Sequence, residues 1–252
     1  MPNKITTYLS VSALITGLLC AGALAADTPA QPAVSPAAET VSQVVPAGKL
    51  GSLRGKVWVQ GNLVKDGDPI YAGSEIKTGT DSKATIRFSD DSMFALGPNS
   101  QMAVNDFRYR QNAEDNTIST NIFKGTFRFV SGLIAKKKPT SMNVKLGSVA
   151  TIGIRGTHVA GEVTERSEQE GKVTEASAQV ILMEPEDDPA KPTAILVSND
   201  YGSVMVDKPG YGTEIPDEHS PPSPVRKMQV RTIENITRAL RNATPKSIPR
   251  VP

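Results

Sequence analysis

Apolar residues in this chain recur at every second position, in short runs broken by Gly, Asp and Asn. Lys56-Val57-Trp58-Val59-Gln60, Lys83-Ala84-Thr85-Ile86-Arg87-Phe88, Gln101-Met102-Ala103-Val104-Asn105 and Met142-Asn143-Val144-Lys145-Leu146 all alternate in this way. Successive side chains of a strand point to opposite faces, so each run buries one face and leaves the other in solvent. The 3.6-residue period of a helical bundle is missing from this core. Two further runs, residues 117–123 and 126–129, flank Lys124-Gly125, which reads as the short turn of a hairpin. Residues 178–183, 193–197 and 202–206 add strands, and Gly210-Tyr211-Gly212-Thr213-Glu214 reads as a glycine-rich turn. The expected fold is all-β: a two-sheet sandwich or roll, or a short β-solenoid, of many short strands.

The pattern changes at both ends. Lys4 precedes an apolar stretch over residues 11–19, and Ala23-Leu24-Ala25 offers the small-x-small sequence of a signal-peptidase site. That stretch is shorter than the roughly 20 residues a membrane helix needs. Residues 1–25 therefore read as a cleavable signal peptide, and residues 26–47, rich in Ala and Pro, as a linker. The β domain is expected over residues 48–216. Residues 217–252 read as a Pro-rich linker, one basic amphipathic helix near 224–241 and a tail. Val225, Met228, Ile233, Ile236 and Leu240 share one helical face, and Pro224 suits a helix start. Three roles compete for that helix: packing on the β core, a weak membrane-surface contact and a partner contact. No second apolar span follows, so the exported chain is expected in the periplasm or outside the cell, without a transmembrane span.

Several function classes lack their chemistry here. Cys20 is the sole cysteine and lies in the leader, so the exported part has no disulfide, thiolate metal site or cysteine nucleophile. With 28 basic and 26 acidic residues, nothing creates the basic field that nucleic-acid binding needs. Lys136-Lys137-Lys138 is a local exception, either a solvated loop tip or a contact for an anionic partner such as lipopolysaccharide. His158 and His219 stand alone and read as surface histidines, without the close second histidine of clustered metal ligation. Gly73-Ser74-Glu75-Ile76-Lys77-Thr78-Gly79-Thr80 lacks the lysine after the second glycine that a phosphate loop requires. Asp66, Asp68, Asp90 and Asp91 read as turn carboxylates rather than calcium ligands. Glu184, Glu186, Asp187 and Asp188 read as a solvated acidic loop. No catalytic residue, metal site or cofactor is expected, and the chain reads as no enzyme.

An ordered set of segments between Gly51 and Val163 resembles the FecR domain. It comprises Gly55-Lys56-Val57-Trp58-Val59, the stretch from Asp66 to Gly79, Ala84 to Ser92, Leu96-Gly97-Pro98-Asn99-Ser100, and Val149 to Thr157. Asp91 stands where the family usually has glycine; Asp tolerates the left-handed region better than most residues. The motif positions are Gly73, Asp90, Ser92, Arg155, Gly156 and Thr157, read mainly as structural, with Arg155 either capping carbonyls inside the fold or meeting a partner carboxylate. A FecR-type transducer has a cytoplasmic anti-sigma region and one membrane span, and neither is found here. The resemblance then implies a stand-alone exported domain that recognises another envelope protein, without direct sigma-factor contact. Sheet edges offer β-augmentation as a binding mode. The alternative is a structural or surface protein binding polysaccharide or peptidoglycan. Trp58, the sole tryptophan, is expected to point inward, which weakens that alternative.

Overall fold

The computed structural model describes residues 45–155, 158–185, 193–229, 234–236, 238 and 240. The expected leader, most of the linker and the C-terminal tail lie outside these residues. The strands begin with β1 (Gly48–Arg54), β2 (Val57–Val59), β3 (Asn62–Leu63), β4 (Pro69–Ile70), β5 (Glu75–Thr78) and β6 (Lys83–Phe88). They continue as β7 (Met93–Leu96), β8 (Gln101–Arg108) and β9 (Thr117–Val130), followed by the short helix α1 (Leu133–Lys137) and a 3-10 turn, Pro139–Ser141. Next come β10 (Met142–Leu146), β11 (Ala150–Arg155), β12 (His158–Thr164), β13 (Ser167–Gln169), β14 (Lys172–Thr174) and β15 (Ser177–Met183). The last are β16 (Ala194–Asn199), β17 (Gly202–Val206), β18 (Tyr211–Ile215) and β19 (Arg226–Lys227).

Seventeen strands join by pairing, and β13 with β14 forms a separate two-stranded arm. The seventeen divide into two layers. One runs β4-β1-β6-β7-β9-β12-β15-β18-β19, and the other β3-β2-β5-β8-β9-β10-β11-β16-β17. Both orders nearly follow the chain, because the chain passes back and forth between the layers as it advances. Every pairing is antiparallel except β9 with β10. The inward residues of both layers form one core, including Leu50, Ile86, Phe94, Phe127 and Phe129 from the first layer and Ile76, Met102, Ile122, Val144 and Ile152 from the second. Phe88, Phe94, Phe107 and Phe129 form a continuous series of ring contacts within it. The alternation thus gives the all-β class and a two-layer arrangement.

The expected hairpin turn at Lys124-Gly125 does not form. Residues 117–130 are one continuous strand, and Gly125 is its corner, at φ 95°. Up to Lys124 the strand pairs with β8 and β10; from Gly125 onward it pairs with β7 and β12. A turn glycine and a corner glycine leave the same trace in sequence, since both need positive φ. Gly125 also lies close against Ser100, with no room for a Cβ. The expected turn from Gly210 to Glu214 differs too: Tyr211, Gly212, Thr213 and Glu214 belong to β18, which pairs with β15.

The C-terminal segment begins differently from expectation. Arg226 and Lys227 form a strand on β18, so Pro224 precedes extended chain rather than a helix. The described helical residues are 234–236, 238 and 240. Met228, Ile236 and Leu240 are buried with Ala95, Ala160 and Ile181 on the outer face of the first layer. Lys83 and Thr85 are buried on this outer face as well, so the middle of that layer is covered on both sides. Packing on the β core is therefore what the apolar face of this helix does. Among the described residues no helix is long and apolar enough to cross a membrane.

Candidate functional site

Asp90 and Ser92 are brought together, and both are fully buried. They lie in the turn between β6 and β7, where Asp91 adopts φ 65° and pairs with Arg87 at 2.9 Å. The Asp90 carboxylate accepts from the Ser92 N–H (3.0 Å), the Ser92 hydroxyl (2.8 Å) and the Ile134 N–H (3.3 Å). Ser92 Oγ in turn accepts from the Gly132 N–H at 2.9 Å, and the Asp90 carbonyl accepts from the Leu133 N–H at 2.7 Å. A buried carboxylate is tolerable only when its oxygens are bonded in this way. The pair clamps the start of α1 and thereby fixes the connection between the two layers.

The other motif positions do not converge on this pair. Gly73 takes φ 85° in the turn before β5, where a Cβ would meet nothing within 4 Å; its conformation, not crowding, calls for glycine. Its N–H donates to the Val104 carbonyl and its carbonyl accepts from Gln60 Nε2. Arg155 ends β11 opposite Ala194. Gly156 and Thr157 lie outside the described residues, as do Glu186, Asp187 and Asp188. Asp66 and Asp68 accept backbone N–H groups of Leu53 and Lys65, as turn carboxylates do.

His158 is not a surface residue: it is 5 % exposed. Its Nε2 meets Arg128 Nε, and its Nδ1 lies 2.9 Å from the Glu184 carbonyl. The guanidinium only donates, so Nε2 is the acceptor and Nδ1 carries the proton given to Glu184. Strand alternation does aim His158 away from the core, but the outer face it reaches is covered. His219 is exposed; its Nδ1 is 3.1 Å from the Tyr201 hydroxyl, and the rings meet edge to face. Asp217 anchors this turn by accepting from the Ser220 hydroxyl and the His219 N–H, bonds that hold its carboxyl below the usual carboxylate range. Among the described residues no group of three or more His, Cys, Asp or Glu could hold a metal ion.

Trp58 departs from expectation as well. Val57 takes the fully buried inward position, so Trp58 faces outward and is half-buried, its ring beside Gly79. Its neighbours across the sheet are Lys77 and the exposed Leu63. Glu75 Oε1 accepts from both Gln101 Nε2 (2.7 Å) and Lys77 Nζ (2.8 Å) on the same face.

A cleft of about 460 Å³ lies along the first half of β9, short of its corner. Phe123, Leu146, Val149, Val163 and Ala176 supply apolar lining, and Glu165, Arg166 and Glu218 are the charged groups around it. Glu165 pairs with Lys124 at 2.8 Å, and Ser148 donates to Glu218 at 2.5 Å. The arm β13–β14 leaves the sheet directly beyond Arg166, with every strand residue exposed and a tight turn at Glu170-Gly171 (φ 50° and 76°). A second cleft, of about 520 Å³, adjoins the arm's base through Glu162, Glu165 and Ser167. An apolar floor, a rim of mixed charge and a free two-stranded edge suit an extended protein segment. Sequence reading passed over these residues, though one signal was present. Ile118, Thr120 and Ile122 take the inward phase of β9, and Phe123 is a large apolar residue out of phase.

Residues 74–179 match the family model described as FecR protein. No curated protein and no solved structure matches the chain.

Proposed function

From the premise that this chain carries a FecR domain over residues 74–179, a signalling and sensing module of the cell envelope, we propose that it is an exported, non-enzymatic module that recognises another envelope protein. Its recognition surface is the cleft along the first half of β9 together with the β13–β14 arm. The observation that carries this reading is the pairing of an apolar cleft with an exposed strand edge next to it. Backbone hydrogen bonds to such an edge give affinity, and a neighbouring pocket that takes one side chain gives selectivity. The buried motif residues Asp90 and Ser92 serve this function by holding the scaffold. Direct sigma-factor contact forms no part of it.

Site-specific photo-crosslinking tests the reading. A photoreactive residue replaces Val173 on the arm (44 % exposed) or, as a control, Leu63 (67 % exposed) in the other layer's edge strand. In intact cells a discrete protein adduct is expected from position 173 and not from 63. No adduct at 173, or the same adducts at both, would sink it. The outward placement of Trp58 favours a second reading, binding of polysaccharide or peptidoglycan at that face. Retention on insoluble peptidoglycan that is lost in Trp58→Ala supports it; free elution of the unaltered chain rejects it.

A further inference from the structure

We propose that the α1 connection is a docking tip for an anionic phospholipid bilayer. Cations near this end of the strands are mostly neutralised by a neighbour. Arg87 pairs with Asp91 (2.9 Å), Arg108 with Asp106 (3.1 Å) and Arg110 with Asp115 (2.7 Å). Lys136, Lys137 and Lys138 are all exposed, and among the described residues none has a carboxylate within 4 Å. Three consecutive charges outside any ion pair among the described residues lie next to Leu133, a large apolar side chain left 38 % exposed on the same short helix. Lys137 and Lys138 also border a cavity of about 480 Å³, lined by Asn112, Glu114, Asn116 and Ile134, where Glu114 is the one carboxylate and forms no ion pair with either lysine among the described residues.

The tip is held rigidly, which a merely solvated loop does not require. Asp90 and Ser92 fix backbone N–H groups of residues 132–134 from one side. On the other side Thr117 Oγ1 donates to the Ser141 carbonyl. Asn116 closes the facing loop through bonds to Arg110 and Ala113. Ammonium groups attract the negative surface potential of an anionic leaflet while the leucine enters the headgroup boundary. The charge selects an anionic surface over a neutral one, and the exposed leucine selects a bilayer over a free polyanion. Topology places this tip away from the β9 corner. The connection from residue 131 to 141 joins the end of β9 to β10 beside its start, whereas the cleft lies at its middle. A docked molecule therefore keeps its cleft and arm clear of the surface.

The test is sedimentation of the whole chain with vesicles of phosphatidylcholine alone or mixed equally with phosphatidylglycerol, at low and high salt. The readout is the difference between the two vesicle types, in which any apolar contribution of the N-terminus cancels. Binding to the anionic vesicles is expected, weakening as salt rises. The triple variant K136A/K137A/K138A is expected to lose about a hundredfold in affinity, from roughly fivefold per lysine. Removing three exposed lysines elsewhere, in K49A/K56A/K65A, is expected to change it less than fivefold. Leu133→Ser is expected to weaken binding a few-fold. Equal binding to both vesicle types, equal losses in the two triple variants, or preference for a soluble polyanion such as dextran sulfate over vesicles would overturn the proposal. The photo-crosslinking at residue 173 is independent of these outcomes.

Discussion

Replacing Asp90 by alanine removes the only side-chain acceptor, among the described residues, for two buried N–H groups. The Ser92 N–H and the Ile134 N–H lose their partner, and the Ser92 hydroxyl loses its acceptor. A buried donor left unmade costs about 1–3 kcal/mol. The 3.3 Å bond to Ile134 belongs at the low end, and the Ser92 hydroxyl can rotate. Relief of the carboxylate's own desolvation offsets part of the loss. The backbone bond from Leu133 to the Asp90 carbonyl survives, so α1 stays attached. The expected net loss for Asp90→Ala is about 3 kcal/mol. Asp90→Asn keeps one carbonyl oxygen for the Ser92 N–H, and its amide can donate to the serine hydroxyl, but the amide nitrogen then faces the Ile134 N–H; that lost bond sets an expected loss of about 1 kcal/mol. Ser92→Ala strands the Gly132 N–H and falls between the two. Urea unfolding read by tryptophan fluorescence and circular dichroism measures these as midpoint shifts at constant slope, near 1.5 M for Asp90→Ala if the slope is about 2 kcal/mol per molar. An alanine variant within 0.5 kcal/mol of the unaltered chain, in order-of-magnitude terms, would mean the carboxylate does not clamp α1.

Three further substitutions probe other parts of the fold. Gly125→Ala forces a Cβ at φ 95° and within 2.6 Å of Ser100 Cα; a loss above about 3 kcal/mol is expected from strain plus clash, and unchanged thermal stability would refute the corner. Thr120→Val removes a fully buried hydroxyl without a partner while keeping the shape, so unfolding should require about 1 kcal/mol more; a measured destabilisation would contradict the assignment. Lys83 is held below its ordinary value of 10.5, first by burial and then by Arg54. The unfolded chain then binds more protons than the native one between that lowered value and about 10.5, so stability rises with pH across this window. Lys83→Met should be more stable than the parent at neutral pH and show a flatter profile up to pH 10.5 in chemical denaturation; an unchanged slope would reject the shift.

Much of the architecture was legible because alternation is a direct record of a one-sided strand. Residues 142–146 and 202–206 could be bounded in this way almost to the residue. Where it failed, a second surface had intervened. His158 alternates outward as expected, yet the C-terminal segment covers the face it reaches. Lys83 and Thr85 are buried by the same cover, and polar residues at those positions give no sign of it. Trp58 shows the reverse error, since hydrophobicity suggested an inward residue where the phase set by Val57 points outward. Gly125 was ambiguous in principle: local chain geometry cannot tell a reversal from a corner, and only the partners of residues 117–124 and 126–130 distinguish them. The cleft lay beyond reach because its walls come from β9, β10, β12 and the segment near 218, which the topology alone brings together.

The motif residues acquire a physical role that their sequence spacing did not suggest. Asp90 and Ser92 do not face a ligand; they convert a β6–β7 turn into a receptor for the backbone of α1, forty residues further along. That contact ties the place where the chain leaves the first layer to the turn beside its edge. The strand it leaves, β9, belongs to both layers and lines the cleft with Asn121 and Phe123, before its corner. A force applied at α1 therefore reaches the corner through one continuous hydrogen-bonded strand rather than through a flexible loop. Gly125, at φ 95°, is where that strand turns from one layer into the other.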